Sequence, residues 1–190
     1  RHVQNGKAKE FEQNIDQVAS TISQLVADIE KMKAEHTAGD IEYKIPASNY
    51  KGAYEQIASG LNNLVNDHIN TKKMAMQVVH EYANGNFNAR LEPLPGKKAF
   101  INDTLNLLQK NIQDFIDEMN LMSKKHQEGD IDVIIDESRF SGAYYTMASG
   151  VNEMVAGHIN VKKRAMAIVE EYANGNIEPT LEQLPGKKAF

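Results

Sequence analysis

The sequence predicts an all-α fold in which long helices run parallel, extended connectors join them, and two copies build a row of parallel four-helix bundles. Three observations predict it. Ser48 to Phe100 reappears as Ser138 to Phe190, with about six in ten aligned positions identical. The helical stretches place apolar residues in alternating steps of four and three. The segments between them are too long for helical hairpins and carry spaced apolar residues.

Each element follows in chain order. The first helical stretch presents Phe11, Ile15, Val18, Ile22, Leu25, Ile29, Met32 and His36 on one stripe. A sustained spacing of about 3.5 residues marks a seam that supercoils against a partner helix, whereas strands would need a period of two. Gly39 opens a connector punctuated by Ile41 and Ile45, and Pro46 keeps it out of helix. Ser48 is read as the cap of the second helix, with Ser138 as its repeat. That second stretch runs Tyr54, Ile57, Leu61, Leu64, His68, Thr71, Ala75, Val78, Tyr82 and stops at Asn84-Gly85. The next connector opens at Gly85 and carries Phe87, Leu91 and Leu94, with Pro93 and Pro95 as breakers. The third stretch repeats the first as Ile101, Leu105, Leu108, Ile112, Phe115, Met119, Met122 and His126. Gly129, Ile131 and Ile135 form the third connector. The fourth stretch repeats the second as Tyr144, Met147, Val151, Met154, His158, Val161, Ala165, Ile168 and Tyr172. It stops at Asn174-Gly175, where a connector with Ile177, Leu181, Leu184 and Pro185 begins.

Connector length sets the helix direction. Sixteen helical residues rise roughly 24 Å, and fourteen extended residues reach about 46 Å. A connector can therefore climb back along half a long helix and start the next in the same direction, docking its apolar residues as it climbs. Two parallel helices alone bury too little to offset about 1–2 kcal/mol per ordered residue. Two chains make four helices around one core, in which each buried Leu, Ile or Met contributes roughly 1.5–3 kcal/mol. A parallel homodimer with its two-fold axis along the bundle is expected.

Composition narrows the function classes. The chain has 190 residues, 25% of them charged, and a formal net charge of −5. A weakly acidic chain is a poor partner for nucleic acid. Its lysine pairs, such as Lys72-Lys73, Lys97-Lys98, Lys124-Lys125, Lys162-Lys163 and Lys187-Lys188, sit among acidic residues and read as solvated helix faces. The absence of cysteine excludes disulfides and thiolate metal sites. No apolar run is long enough to cross a bilayer and no signal peptide is visible, so a cytoplasmic segment without membrane insertion is expected. The opening Arg1-His2 suggests a piece of something longer, whose parent could carry a membrane anchor.

Two parallel helices joined by a Gly-opened, apolar-punctuated connector, repeated head to tail, resemble the HAMP domain. Asn84-Gly85-Asn86-Phe87, the run from Leu94-Pro95-Gly96 to Asn102, and Ser141-Gly142-Ala143-Tyr144 through His158 look like the concatenated HAMP units of methyl-accepting chemotaxis proteins. Two family features are not evident: a proline in the first helix and a glutamate at the entry to the second. The resemblance implies a helical lead-in at 1–17 and modules at 18–68, 69–115, 108–158 and 159–190. The third shares a helix with the second, and the fourth ends before its second helix. It also implies a non-enzymatic signal relay between an upstream sensor and a downstream signalling domain of the same chain, through bundles with two packings. The alternatives are a static dimeric spacer and a helical bundle that binds a small ligand in its core.

No catalytic, cofactor or metal site is expected. His36, His68, His126 and His158 on the seams could form a pH switch or a metal site. A polar seam residue that sets register is the preferred reading, because no second ligand at metal spacing accompanies them. His80-Glu81 faintly resembles a phospho-accepting histidine, but its repeat counterpart is Glu170-Glu171. Glu55-Gln56 with Ala58-Ser59 partly matches a receptor methylation site, yet its counterpart holds Tyr145-Thr146. Leu94-Pro95-Gly96-Lys97-Lys98 lacks the Gly-rich run of a phosphate loop.

Overall fold

The computed structural model describes residues 2–184 and 186. Four long helices dominate: α1 (His2–Ala38), α2 (Ala53–Ala83), α3 (Ala99–Gln127) and α4 (Ala143–Ala173). Single 3-10 turns at Ala47–Asn49, Gly96–Lys98 and Glu137–Arg139 precede α2, α3 and α4, and there is no strand among the described residues. Pro185, the Lys187-Lys188 pair and the end of the fourth module lie outside the described residues. The chain divides into two compact units, residues 1–84 and residues 85–190.

In the first unit the hydrogen bonds fix the direction of the chain. Along the connector, the Tyr43 carbonyl meets His36 of α1, and the Tyr50 hydroxyl meets Asp28, eight residues earlier on that helix. On α2, Glu42 pairs with Lys73 while Ile45 meets Asn62. The connector thus runs backwards along both helices, which makes α1 and α2 parallel. The second unit repeats the pattern with His126 on Val133, Arg139 on Glu118, Lys163 on Asp132, and Asn152 on Ile135. There α3 and α4 are parallel for the same reason.

The cores match across the repeat. In the first unit Leu25, Met32, Ile45, Tyr50 and Ala58 are buried, flanked by Ile29, Tyr43, Ala47, Tyr54, Leu61 and Val65. In the second, Met122, Ile135 and Ala148 are buried against Phe115, Met119, Phe140, Val151 and Val155. Ala58 and Ala148 are completely covered. A small residue there lets the connector isoleucine lie close to the helix.

Helix ends correct one expectation. Ser48 and Ser138 do not cap α2 and α4; they lie inside the 3-10 turns, and the helices start five residues later. The residues before the helices are Gly52 (φ 61°, ψ −129°) and Gly142 (φ 57°, ψ −132°), with no side-chain cap. Their backbone lies in a region that a Cβ effectively forbids, so glycine sets the sharp entry angle. Ser138 instead donates through its amide and hydroxyl to Asp136 Oδ1, at 3.1 and 2.6 Å. These bonds hold the Asp136 carboxyl below its ordinary range. At the other end, α2 and α4 stop at Ala83 and Ala173, directly before Asn84-Gly85 and Asn174-Gly175.

Candidate functional site

The connectors are where the two helices of a unit are held together. A connector must bury apolar side chains while running irregularly, so its backbone N–H and C=O groups need partners from elsewhere. At Ile45, 2% exposed, Asn62 supplies both: its Oδ1 accepts from Ile45 N and its Nδ2 donates to Ile45 O, each at 2.9 Å. Asn152 does the same for Ile135, again at 2.9 Å, and its Nδ2 also donates to Glu137 Oε1 at 2.8 Å. Asn102 of α3 accepts from Leu94 N and donates to the Leu91 and Glu92 carbonyls, at 2.9 to 3.0 Å. A carboxamide carries its donor and its acceptor on two separate atoms of one short side chain, so it can meet an N–H and a C=O of one residue at once, which is why asparagine fits.

The first helix of each unit holds the same connector by a different group. His36 Nε2 lies 2.9 Å from Tyr43 O, and His126 Nε2 lies 2.8 Å from Val133 O. A carbonyl can only accept, so in both cases Nε2 carries the proton. In the tail after α4 the Tyr172 hydroxyl donates to Pro179 O at 2.8 Å. Each of these donors stands three residues before a connector glycine and bonds a carbonyl seven residues onward. Gly39, Gly85, Gly129 and Gly175 have φ between 83° and 107°. No atom would meet a Cβ there, so the requirement for glycine is torsional and not one of space.

The sequence-read connector residues take different places. Ile45 and Ile135 are buried; Phe87, Leu91, Leu94 and Leu184 are half-buried; Ile41, Ile131, Ile177 and Leu181 are exposed in the single chain. The seam residues divide as well. Leu25, Met32, Val78, Leu105 and Met122 are buried. Ile29, Tyr54, Leu61, Ile112, Phe115, Met119, Tyr144, Val151 and Ile168 are half-buried, and Ile22, Ile57, Leu64, Leu108, Met147 and Met154 are exposed. His68 and His158 are exposed, while His36 and His126 are the half-buried connector donors. His80 lies 3.1 Å from the side chain of Asn84. Among the described residues no group of His, Cys, Asp or Glu is placed to hold a metal ion, and no helix is long and apolar enough to cross a membrane.

Sequence reasoning missed Asn62, Asn102, Asn152, Gly52 and Gly142. A signal was present for four of them. Asn62 and Asn152 recur at one repeat position inside helices, where asparagine is a poor helix former, and Gly52 and Gly142 recur before Ala-Tyr.

Known families match three segments of the chain. Residues 71–113 and again 161–190 match the family HAMP N-terminal domain 3. Residues 116–157 match the family of the second HAMP domain of methyl-accepting chemotaxis protein McpB. The methyl-accepting chemotaxis protein McpB of Pseudomonas aeruginosa (strain PAO1) is 34% identical over 124 residues, which are 59% of this chain and 18% of that protein. The chain therefore spans about a fifth of the length of this relative. Parallel helix pairs, glycine-opened connectors and these matches agree, and the chain belongs to the HAMP family as a tandem array of HAMP domains similar to those of methyl-accepting chemotaxis proteins.

Proposed function

We propose that this segment relays conformational signals as a parallel homodimer, handing a displacement from an upstream sensor domain to a downstream signalling domain of the same polypeptide. HAMP domains of a chemotaxis receptor are signalling modules, which supports a relay role and a non-enzymatic one. The modules are taken as 18–68, 69–115, 108–158 and 159–190, after a lead-in at 1–17. The segment works in the cytoplasm, without inserting into a membrane and without nucleic acid as a partner.

One observation carries the dimer. At the start of α2 and of α4, seam residues alternate between half-buried and exposed. Tyr54 and Leu61 of α2 pack on the core, while Ile57 and Leu64 stay 51% and 55% exposed. In α4, Tyr144 and Val151 are covered while Met147 and Met154 remain 48% and 59% exposed. In α1, Phe11, Ile15, Val18 and Ile22 form an open stripe of their own. Large apolar residues spaced seven apart form a straight ridge, and a monomer would leave that ridge in water. A second copy laid alongside in the same direction covers it, with knobs-into-holes packing of four helices. The relay then follows if each bundle has two packings of similar free energy, since contiguous helices pass a bias in one bundle to the next. Methionines on the seam (Met119, Met122, Met147, Met154) repack at low cost.

The chain has no cysteine, so single cysteines report cleanly. With Leu64→Cys or Met154→Cys, mild oxidation is expected to give disulfide-linked dimers, and Glu153→Cys much less product. A monomer by sedimentation at high loading ends the dimer reading. In the full receptor, Leu61→Ala or Val151→Ala is expected to alter output. Unaltered output from folded variants ends the relay.

A further inference from the structure

The connectors between α1 and α2 and between α3 and α4 are gripped from two sides, and the two grips differ in strength. The second-helix grip is bidentate and dry. Asn62 and Asn152 each satisfy an N–H and a C=O of an isoleucine that is 2% and 0% exposed, respectively. Releasing either asparagine would strand two buried backbone groups, which is costly. The first-helix grip on the early part of the connector is a single hydrogen bond, from His36 to Tyr43 O or from His126 to Val133 O, and a further contact lies toward the connector's end, Tyr50 on Asp28 in the first unit and Arg139 on Glu118 in the second. Tyr43 and Val133 are only half-buried, so water can replace the imidazole at the carbonyl. Between α1 and α2, and between α3 and α4, connector and second helix then form one body, and a histidine in the last turns of the first helix fastens that helix to the early part of the connector.

We propose that His36 and His126 are the latches of the relay: positioning residues through which a displacement of the first helix reaches the connector and, by way of Asn62 and Asn152, the second helix. This rests on the relay reading above and assigns the coupling step in two of its modules to named groups. The exposed pairs Lys73–Glu42 and Lys163–Asp132 lie on the other side of the connector and join it to the second helix only, so they add nothing to the latch. The second-unit latch has the same geometry although its connector sequence differs. Tyr43-Lys44 becomes Val133-Ile134, and the bond survives because it uses a backbone carbonyl.

The test drives the first helix directly. The full chain is fused behind a dimeric coiled coil joined in two phases, which holds α1 in two rotations. Ile57→Cys on α2 then reports crosslinking rate. In the parent chain, changing the phase is expected to change that rate about five-fold or more, the lower end of ordinary coupling between sites. His36→Phe, which keeps a ring but has no donor, is expected to cut the dependence on phase at least about two-fold while the dimer still crosslinks, the Tyr50–Asp28 contact carrying the remainder. His36→Gln, whose amide nitrogen can stand near Nε2, is expected to restore it. Phase dependence that is undiminished in His36→Phe overturns the latch and leaves the relay standing. Loss of helix by circular dichroism in His36→Phe also overturns it, since the histidine is then a folding staple. A parent chain that crosslinks equally in both phases overturns relay and latch together. No crosslink at all overturns the dimer.

Discussion

The first and second units place the same scaffold over different chemistry at one contact. In the first, Tyr50 leaves the connector and its hydroxyl donates to Asp28 Oδ2 at 2.6 Å, while Gln24 donates to the other carboxylate oxygen at 3.1 Å. In the second, Phe140 takes the place of Tyr50 and meets Phe115 edge-on, with ring centres 5.8 Å apart. Leu25 stands where Phe115 stands, and Glu118 replaces Asp28. Relieved of a phenol, Glu118 pairs with Arg139 at the surface. The connector needs its bulky residue anchored against the first helix; a buried polar pair and an aromatic pair serve equally in geometry. They do not serve equally under stress, because a hydrogen bond to a carboxylate depends on protonation and ring packing does not. The isoleucine, the alanine beneath it and the asparagine around it are identical in both units, which identifies the part of the contact that cannot be exchanged.

The largest effects are expected where the units agree. Ile45→Ala and Ile135→Ala each empty a sealed site and should each cost about 3–4 kcal/mol, by denaturant unfolding at one fixed protomer concentration. A much smaller loss at either position would show that the connector is not part of the core. Next come the asparagines. Asn152 is buried and Asn62 half-buried, so Asn152→Ala should cost about 3 kcal/mol and Asn62→Ala about 2 kcal/mol. The reverse order would mean that water reaches Ile135 more readily than Ile45.

The divergent contact gives a smaller effect with a pH signature. Tyr50→Phe should cost about 1 kcal/mol at neutral pH, the net worth of one hydrogen bond. Burial, helped by the Asp28 hydrogen bond and its negative charge, pushes the Tyr50 phenol up to about 12 from an ordinary 10. The folded form therefore holds its proton where the unfolded chain gives it up. The contribution is complete below about pH 10 and is lost as pH rises from about 10 to 12. Alkaline unfolding curves should show this loss in the parent chain and lack it in Tyr50→Phe. Ultraviolet titration should find one of the seven tyrosines ionising late. If all ionise together, the Tyr50–Asp28 pair is open to solvent.

Much of this was legible in the chain because periodicity and repetition survive without knowledge of contacts. Steps of three and four placed all four helices, and connector length allowed α1 to run parallel to α2 and α3 to α4. The caps were misjudged for a local reason: Ser48 has the right side chain for a helix start, but the chain makes a 3-10 turn first and Gly52 sets the entry. His36 and His126 were read as seam residues because they extend the heptad. A heptad locates a side chain on a face but says nothing about a carbonyl seven residues away that folds back over it. The asparagine grips depend on an irregular backbone, whose unpaired groups no side-chain pattern reveals.

The smallest effect is expected at an ion pair that recurs in the two units. Lys73 Nζ lies 2.8 Å from Glu42, and Lys163 Nζ lies 2.7 Å from Asp132, at equivalent positions. The recurrence invites a structural role. Both pairs, however, lie in open solvent, with side chains 54% and 76% exposed in one and 53% and 78% in the other. At physiological salt such pairs are screened, and holding two long side chains in one geometry offsets what attraction remains. The Lys73 hydrogen bond holds the Glu42 carboxyl below its ordinary range, with the Lys73 charge adding to it. Its contribution is therefore present above the unfolded value and fades as pH falls through the lowered one. Glu42→Gln and Asp132→Asn should leave the neutral-pH melting midpoint unchanged within error. The parent chain should fall slightly faster than Glu42→Gln on acidification. A clear drop at neutral pH in either variant would mean that these lysines anchor the connector, and the asparagines would then not be its sole hold on the second helix.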